Sequence, residues 1–454
     1  MNKIRLFFDI WKLNRNKKKS LKEIKRLQQM KLDALVKHAY NNSEYYRRVL
    51  EENGINEGKL KNVEITKLPV MEKADFTENF DRIITVKDIS QNDLRAFDEE
   101  NSISEKTLPG GYHSVHSSGS TGSPRYFLYD EKAWKEVLLG IIRGALWDMS
   151  LWDMIKLFSG GVRILYIAAT DGRYGGLMSI EEAVTDLGGD FKSLDINQPL
   201  EQWDKVIENY NPNVIIAYPS ALKILAGRIE KKEFQLKLKR VITCGEPLSE
   251  KLRSYTEKVF EQNIINVYGA SESLAIGVET SGKEGMILFD DMNIIEETED
   301  GILLTSLYNY AQPIIRYKLS DELKLRTADH FPMFTRAKSG LFREEDVLWF
   351  ENADGRNEYL HPLAIEGFCV DGLLDFQFVK TGENSIQMLA QLSSGKRESK
   401  VTEKVQEWMG KILEEKRLTN LLFNIRIVDE ILPDPRTGKK KLVITKELER
   451  ELYG

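Results

Sequence analysis

Residues 116–127 read HSSGSTGSPRYF, with two glycines, a run of hydroxyl side chains and no large apolar residue before Tyr126. Gly119 and Gly122 open backbone angles that residues with a Cβ avoid, so consecutive N–H groups can turn inward into an anion-binding concavity. Ser117, Ser118, Ser120 and Thr121 add hydroxyl donors. The guest that suits such a loop is a chain of phosphates. A Gly/Ser cluster on its own more often marks a solvated turn, so its meaning depends on what the chain places beside it.

Three further stretches carry polar chemistry: YPS at 218–220, CGEP at 244–247 and YGASE at 268–272. Each closes a short apolar run rich in Val and Ile (NVIIAYPS, RVITCGEP, NIINVYGASE), and RILYIAAT at 163–170 is a fourth such run. Continuous apolar runs of this length suit buried parallel strands. Amphipathic helices separate them, with Ser220 placed to cap Ala221–Lys231 and Ser249 to cap Glu250–Gln262. Strand, helix, strand implies an α/β sheet with right-handed crossovers. Ligands of such sheets bind beyond the carboxyl ends of the strands, which gathers the three stretches into one pocket.

Upstream, Leu21–Leu50 follows a helical period through Leu27, Met30, Leu32, Leu35 and Val36, with a break at NNSEYY. Ala133–Trp147 is helical, with Trp134, Val137, Leu138 and Ile142 on one face. After Arg343 the character changes. DVLWFENADGRNEYL reads as a hairpin turning at Asp354–Gly355, LDFQFVK and SIQMLAQL as strands, Glu398–Lys416 as an amphipathic helix and LFNIRIV as a further strand. LPDPRTGKKKLVI is an exposed basic loop. This is a small α+β domain following a large α/β one.

Length and composition limit the alternatives. The chain has 454 residues, 41% of them hydrophobic, and a formal net charge of -6. That length implies two or three domains, and that charge leaves no basic footprint for nucleic acid. Cys244 and Cys369 stand far apart without metal-type spacing, which suits a reducing, cytoplasmic compartment. Five histidines show no metal pattern. MNKIRLFFDIWKLNRNKKKS starts basic and partly apolar, but Asp9 interrupts it and no cleavage site follows, so it reads as a docking helix and not as a signal peptide. Loose membrane contact through Leu6, Phe7, Phe8, Ile10 and Trp11 is the weaker reading, and no run reaches the ~18 apolar residues of a span.

With these stretches in this order, most of the chain resembles the adenylate-forming superfamily and, within it, the phenylacetate–CoA ligase-like group. LQQMKLDALVKHAYNNSEYYRRVLEENGI followed by ITKLPVMEKADF is similar to that group's opening. SSGSTGSP is similar to its phosphate loop, and AYPSALKILA, CGEPLSE and YGASE to its adenine- and acid-binding segments. PIIRYKLSDEL resembles the ribose segment, GLFREEDVLWF the hinge, and TGKKKLV the catalytic-lysine loop.

The resemblance implies a large ATP- and acid-binding domain over 1–343, with a helical segment to about 100, and a small mobile lid over 344–454. It implies ATP-dependent activation of a carboxylic acid as an acyl adenylate, then transfer to CoA. Ser117, Ser118, Gly119, Ser120, Thr121, Gly122 and Arg125 would hold the phosphates, and Glu272 would hold Mg²⁺. Ser271 would touch the α-phosphate. Gly245, Glu246, Pro247, Tyr268 and Gly269 would line the nucleotide slot, with Tyr218, Pro219 and Ala270 facing the acid. Asp321 and Arg343 would bind the ribose, Lys439 would reach the α-phosphate, and Glu345 and Asp346 would be the pivot.

Some positions depart from the group. Ser123 stands where its phosphate loop carries lysine, with Arg125 the nearest cation, and Leu319–Ser320 replaces threonine–glycine. Transfer to a carrier-protein thiol, an amine or a hydroxyl remains an alternative, as does a nucleotide-binding protein of the same fold that has lost catalysis. A P-loop fails because no lysine follows Gly122, and a serine-hydrolase elbow is the weaker match because Ser273 replaces its last glycine. Cys244 is read as a packed thiol, His113 and His116 as loop donors. A monomer or homodimer fits equally.

Overall fold

The computed structural model describes the chain apart from residues 1–2, 100–106, 117–124, 171–174, 234, 282–284, 300, 320, 322, 340–347, 362–364, 366–369, 371, 394–397, 433–434 and 436–440. Helices come first. Lys3–Asn14 leads into Leu21–Asn42, which Ser20 and Glu23 open with a reciprocal capping box. A break at Ser43 starts Glu44–Glu52. Ile24, Leu32, Leu35 and Val36 are buried, but Met30 is 61% exposed. At 3.6 residues per turn, position 30 lies nearly opposite Leu32, so the expected face was drawn one residue too wide.

Strand β1 (His113–His116) pairs antiparallel with β2 (Tyr126–Tyr129), and the hydroxyl-rich segment connects them. The four apolar runs follow as β3 (Arg163–Ala168), β5 (Val214–Ala217), β6 (Arg240–Cys244) and β7 (Ile264–Ala270), and a mostly polar strand absent from the sequence reading, β4 (Asp190–Asp195), joins them. They lie parallel in the spatial order β4-β3-β5-β6-β7, joined by helices Gly175–Leu187, Leu200–Tyr210, Pro219–Glu230 and Glu250–Phe260. The chain leaves β3 toward one sheet edge through β4 and returns on its other side through β5. The strand order therefore reverses around β3, which opens a crevice at the carboxyl ends.

The sheet continues antiparallel through β8 (Ser273–Glu279) and β9 (Met286–Leu288). Next in the chain, β10 (Asn293–Thr298), β11 (Gly301–Ser306) and β12 (Tyr317–Leu319) make a separate sheet. Strands β13 (Leu323–Arg326) and β14 (Arg336–Ser339) then complete the large one. Leu319 is 5% exposed and packs into the main hydrophobic core, which accounts for an apolar residue at that position.

The later elements include the hairpin of β15 (Leu348–Glu351) and β16 (Asn357–Leu360), with Gly355 at φ +75° in its turn. Strands β17 (Leu373–Gly382), β18 (Ser385–Leu392), β19 (Leu422–Val428) and β20 (Val443–Ile444) form a four-stranded sheet covered by helix Glu398–Glu415. The expected domain boundary at 343/344 lies outside the described residues. The hairpin is shared between the two layers. Leu348 and Leu360 pack with the small sheet, while Tyr359 is fully buried in the core around β5 and β6. Lys416 seals the same seam: its Nζ donates to the carbonyls of Ile196 and Gln198, at 3.2 and 3.0 Å.

Candidate functional site

A cavity of about 260 Å³ lies beyond the carboxyl ends of the parallel strands. Ala169, Tyr218, Gly245 and Ala270 reach it from the ends of β3, β5, β6 and β7, and Ser271 and His116 stand at its wall. Its depth is apolar, with Ile141, Ile180, Ile216, Ile242, Val267 and Leu274. A larger cleft of about 460 Å³ runs between Leu200–Arg228 and the β15–β16 hairpin, and it contains none of the three polar stretches.

The CGEP turn is shaped by Gly245, at φ +82°, where an added Cβ would meet the Tyr218 ring at 2.5 Å. Only glycine combines that angle with an aromatic ring laid on the backbone. Glu246 is then fixed from two sides. Ser220 donates to it through its backbone N–H and its hydroxyl, both at 3.0 Å. His361 Nε2 lies 2.9 Å from the same carboxylate and 2.7 Å from the Ser220 hydroxyl. Ser220 is therefore not the expected helix cap. The helix starts two residues earlier than expected, at Pro219, whose fixed φ and missing N–H suit the first turn, and this frees the Ser220 side chain for Glu246. Ser249 does cap its helix, accepting from the Leu252 N–H at 3.2 Å.

Glu272 sits on the tight turn between β7 and β8 and is 6% exposed. Burial pushes its carboxyl above the usual range, Arg125 and Lys73 draw it down, and Asp321 pushes it further up. Asp321 is exposed, yet the protein surrounding it also raises its carboxyl, while Tyr268 and Lys73 act in the opposite sense. The Tyr268 and Tyr317 phenols face these two carboxylates but form no well-aligned hydrogen bond. Lys73 arrives by a backbone route: Met71 accepts from the Lys318 N–H and donates to the Arg316 carbonyl, both at 3.0 Å, beside β12. Two carboxylates, two cations and two phenols thus act on one another in one cluster.

His116, the last described residue before the hydroxyl-rich segment, is held by the same turn. Ser271 Oγ donates to the His116 carbonyl at 3.3 Å, and the Tyr129 phenol donates to the Ser271 carbonyl at 2.7 Å. The strand residue that leads into 117–124 is therefore tied to the YGASE turn.

The structure thus brings together Tyr218, Gly245, Glu246, Tyr268, Gly269, Ala270, Ser271, Glu272, Asp321 and Arg125. Pro219 is buried at the helix start, and Pro247 is exposed beside Glu246. Ser117, Ser118, Gly119, Ser120, Thr121, Gly122, Arg343, Glu345, Asp346 and Lys439 lie outside the described residues. Lys73, Tyr317 and His361 join the candidate site without a role in the sequence reasoning, and Ser220 joins it in place of the capping role expected of it. Lys73 stands inside the ITKLPVMEKADF stretch, which was its only available signal.

Other candidates recede. Burial raises the Cys244 thiol to about 12, so it packs and does not attack. His113 stacks on Trp134 at 4.2 Å, and burial lowers it to about 4. Among the described residues no group of three or more His, Cys, Asp or Glu could enclose a metal. Glu272 with Asp321 nearby fits a hard cation shared with phosphate oxygens, which needs few protein ligands.

The family of AMP-binding enzymes matches residues 187–297, from before β4 to the end of β10. A phenylacetate–coenzyme A ligase of Aromatoleum evansii is 25% identical over 337 residues, covering 68% of each chain. Protein CapK of Staphylococcus aureus is 22% identical over 439 residues, 92% of this chain and 88% of that one. Among solved structures, a 2-hydroxyisobutyryl-CoA ligase with its acyl adenylate and CoA superposes with a TM-score of 0.59 at 17% identity, covering 97% and 93%.

Proposed function

We infer that this chain belongs to the adenylate-forming superfamily, in its phenylacetate–CoA ligase-like group. It activates a carboxylic acid with ATP and hands the acyl group to the thiol of CoA. One observation carries this reading. An apolar cavity at the carboxyl ends of a parallel sheet has Ala270 and Ser271 in its wall, and the next residue, Glu272, is a buried carboxylate that interacts with Arg125, Asp321 and Lys73.

The first step brings two anions together. A carboxylate oxygen attacks the α-phosphorus, the bond to the bridging oxygen breaks, and pyrophosphate leaves. Positioning and charge neutralisation are what a protein can supply to that step. The acid's apolar part fills the cavity between Ile180, Ile242 and Leu274, and its carboxylate emerges beside Ala270 and Ser271. Adenine lies against Tyr218 and the Gly245–Pro247 turn, held in shape by Glu246, Ser220 and His361. Asp321 accepts from the ribose hydroxyls with Arg343 alongside. Residues 117–122 and Arg125 take the terminal phosphates, Arg125 replacing the lysine absent at Ser123.

Glu272 is the residue suited to Mg²⁺, which when bound supplies positive charge against the phosphate oxygens. Lys439 meets the α-phosphate as charge develops there. In the second step the CoA sulfur attacks the acyl carbon, AMP leaves with the bonding pair, and the thiol proton passes to solvent.

The test is acid-dependent exchange of labelled pyrophosphate into ATP across a panel of aliphatic and aromatic acids, followed by CoA thioester formation with the acids that respond. Tight ATP binding without exchange across the panel would favour the catalytically silent alternative.

A further inference from the structure

The helix Lys3–Asn14 has two working faces. Leu6, Ile10 and Leu13 are buried against the body, and Asp9 pairs with Lys135 at 2.5 Å, which fixes the helix on its surface. The outer face carries Phe8 and Trp11, 59% and 55% exposed, with ring centroids 5.8 Å apart. Arg5, Lys12, Arg15 and Lys18 are exposed around them, and the Arg15 guanidinium stands 5.2 Å from the Trp11 ring centroid. Residues 1–31 hold eleven Lys or Arg against two Asp or Glu, in a chain whose formal net charge is -6. The other 423 residues are therefore net acidic, and four of the eleven cations, Arg5, Lys12, Arg15 and Lys18, are exposed on or just after the helix that displays the aromatic pair.

We propose that this face docks the protein on an anionic lipid surface, with Phe8 and Trp11 entering the headgroup boundary and the basic ring facing lipid phosphates. An interfacial helix lies flat with Trp or Phe inward and Lys or Arg at the rim, and this outer face has that arrangement. Each basic residue near such a surface strengthens binding by about fivefold at moderate salt. Charge also selects the occupant. A second copy meeting this face through a two-fold axis would oppose basic side chains to basic ones. A soluble polyanion would satisfy the charges but leave the rings in water. Among the described residues no helix is long and apolar enough to cross a membrane, so docking is peripheral.

The experiment is co-sedimentation of the full chain with phosphatidylcholine vesicles, with and without phosphatidylglycerol, at low and high salt. Phe8→Ser/Trp11→Ser and Lys12→Glu/Arg15→Glu are compared with wild type, with melting temperature and light scattering as controls. Both pairs are solvent-facing, so the melting temperature should hold. Wild type should bind the anionic vesicles, more weakly at high salt, and each double variant should lose about tenfold or more in affinity. Absence of a preference for anionic vesicles overturns the proposal. So does binding that the aromatic variant leaves unchanged, or equal aromatic-independent binding to heparin. A wild-type dimer that the aromatic variant makes monomeric, without vesicle binding, assigns the face to a second copy instead.

Discussion

His361 Nε2 lies 2.9 Å from Glu246 Oε1, so a residue from beyond the large sheet braces the turn that follows β6. His361 is 1% exposed and Glu246 also holds Ser220. Truncating His361 leaves a carboxylate partly unpaired next to Gly245 and the Tyr218 ring. Hydrogen bonds to charged groups are worth ~1.5–3 kcal/mol. His361→Ala should therefore raise the KM for ATP by about tenfold or more, with a smaller fall in kcat, and His361→Gln should recover part of it by donating to the same oxygen. Steady-state kinetics at saturating acid measures the split. An unchanged KM for ATP in His361→Ala would detach this contact from nucleotide binding.

Glu272 combines a buried carboxylate with a proposed role toward Mg²⁺ that needs it ionised. Burial raises its folded-state pKa above the unfolded value. By linkage, the ionised group's cost to stability is complete above the raised folded-state pKa, shrinks as pH falls from there and is gone below the unfolded value. Glu272→Gln should thus melt no lower than wild type near neutral pH, while adenylation falls by roughly two to three orders of magnitude. The acidic limb of the wild-type rate profile should lie above the ordinary glutamate range and vanish in the variant. Thermal melts and initial rates against pH check both halves. A large drop in melting temperature would make Glu272 a structural carboxylate.

The seam between the hairpin and the large sheet predicts a division of labour. Lys416 is buried there, 3.8 Å from the Tyr359 ring centroid, and burial lowers its ammonium to about 8. If the small domain alternates between two closures, these contacts belong to one of them. Lys439→Ala should abolish adenylation yet spare acyl transfer from supplied acyl adenylate. Glu345→Pro or Asp346→Pro should do the reverse, since proline fixes φ at a pivot. Separate assays of the half-reactions distinguish these results from a single closure, in which Lys439→Ala impairs both equally.

Four of the parallel strands were legible because continuous Val/Ile runs and polar carboxyl ends follow from local chemistry, and so was the gathering of YPS, CGEP and YGASE. The edge strand β4, DFKSLD, was not, because an exposed edge needs no apolar run. Lys73 was not legible, because it enters through a β-bridge between Met71 and Tyr317, 246 residues apart in the chain. His361 was hidden for the same reason, its partners Ser220 and Glu246 lying more than a hundred residues upstream. Ser220 misled because serine before a helix usually caps it, and a proline at the preceding position moved the cap. The ambiguous opening helix was resolved by side-chain burial: periodicity alone does not say that Leu6 and Ile10 face inward while Phe8 and Trp11 face out.

The most direct test of adenylation at this site is acid-dependent pyrophosphate–ATP exchange by wild type and Glu272→Gln, measured side by side over a broad acid panel. At least one acid with a largely apolar body should drive exchange by wild type, and the same acid should give roughly a hundredth of that rate or less with the variant. Exchange that ignores the acid, or an equal rate from Glu272→Gln, would contradict the account.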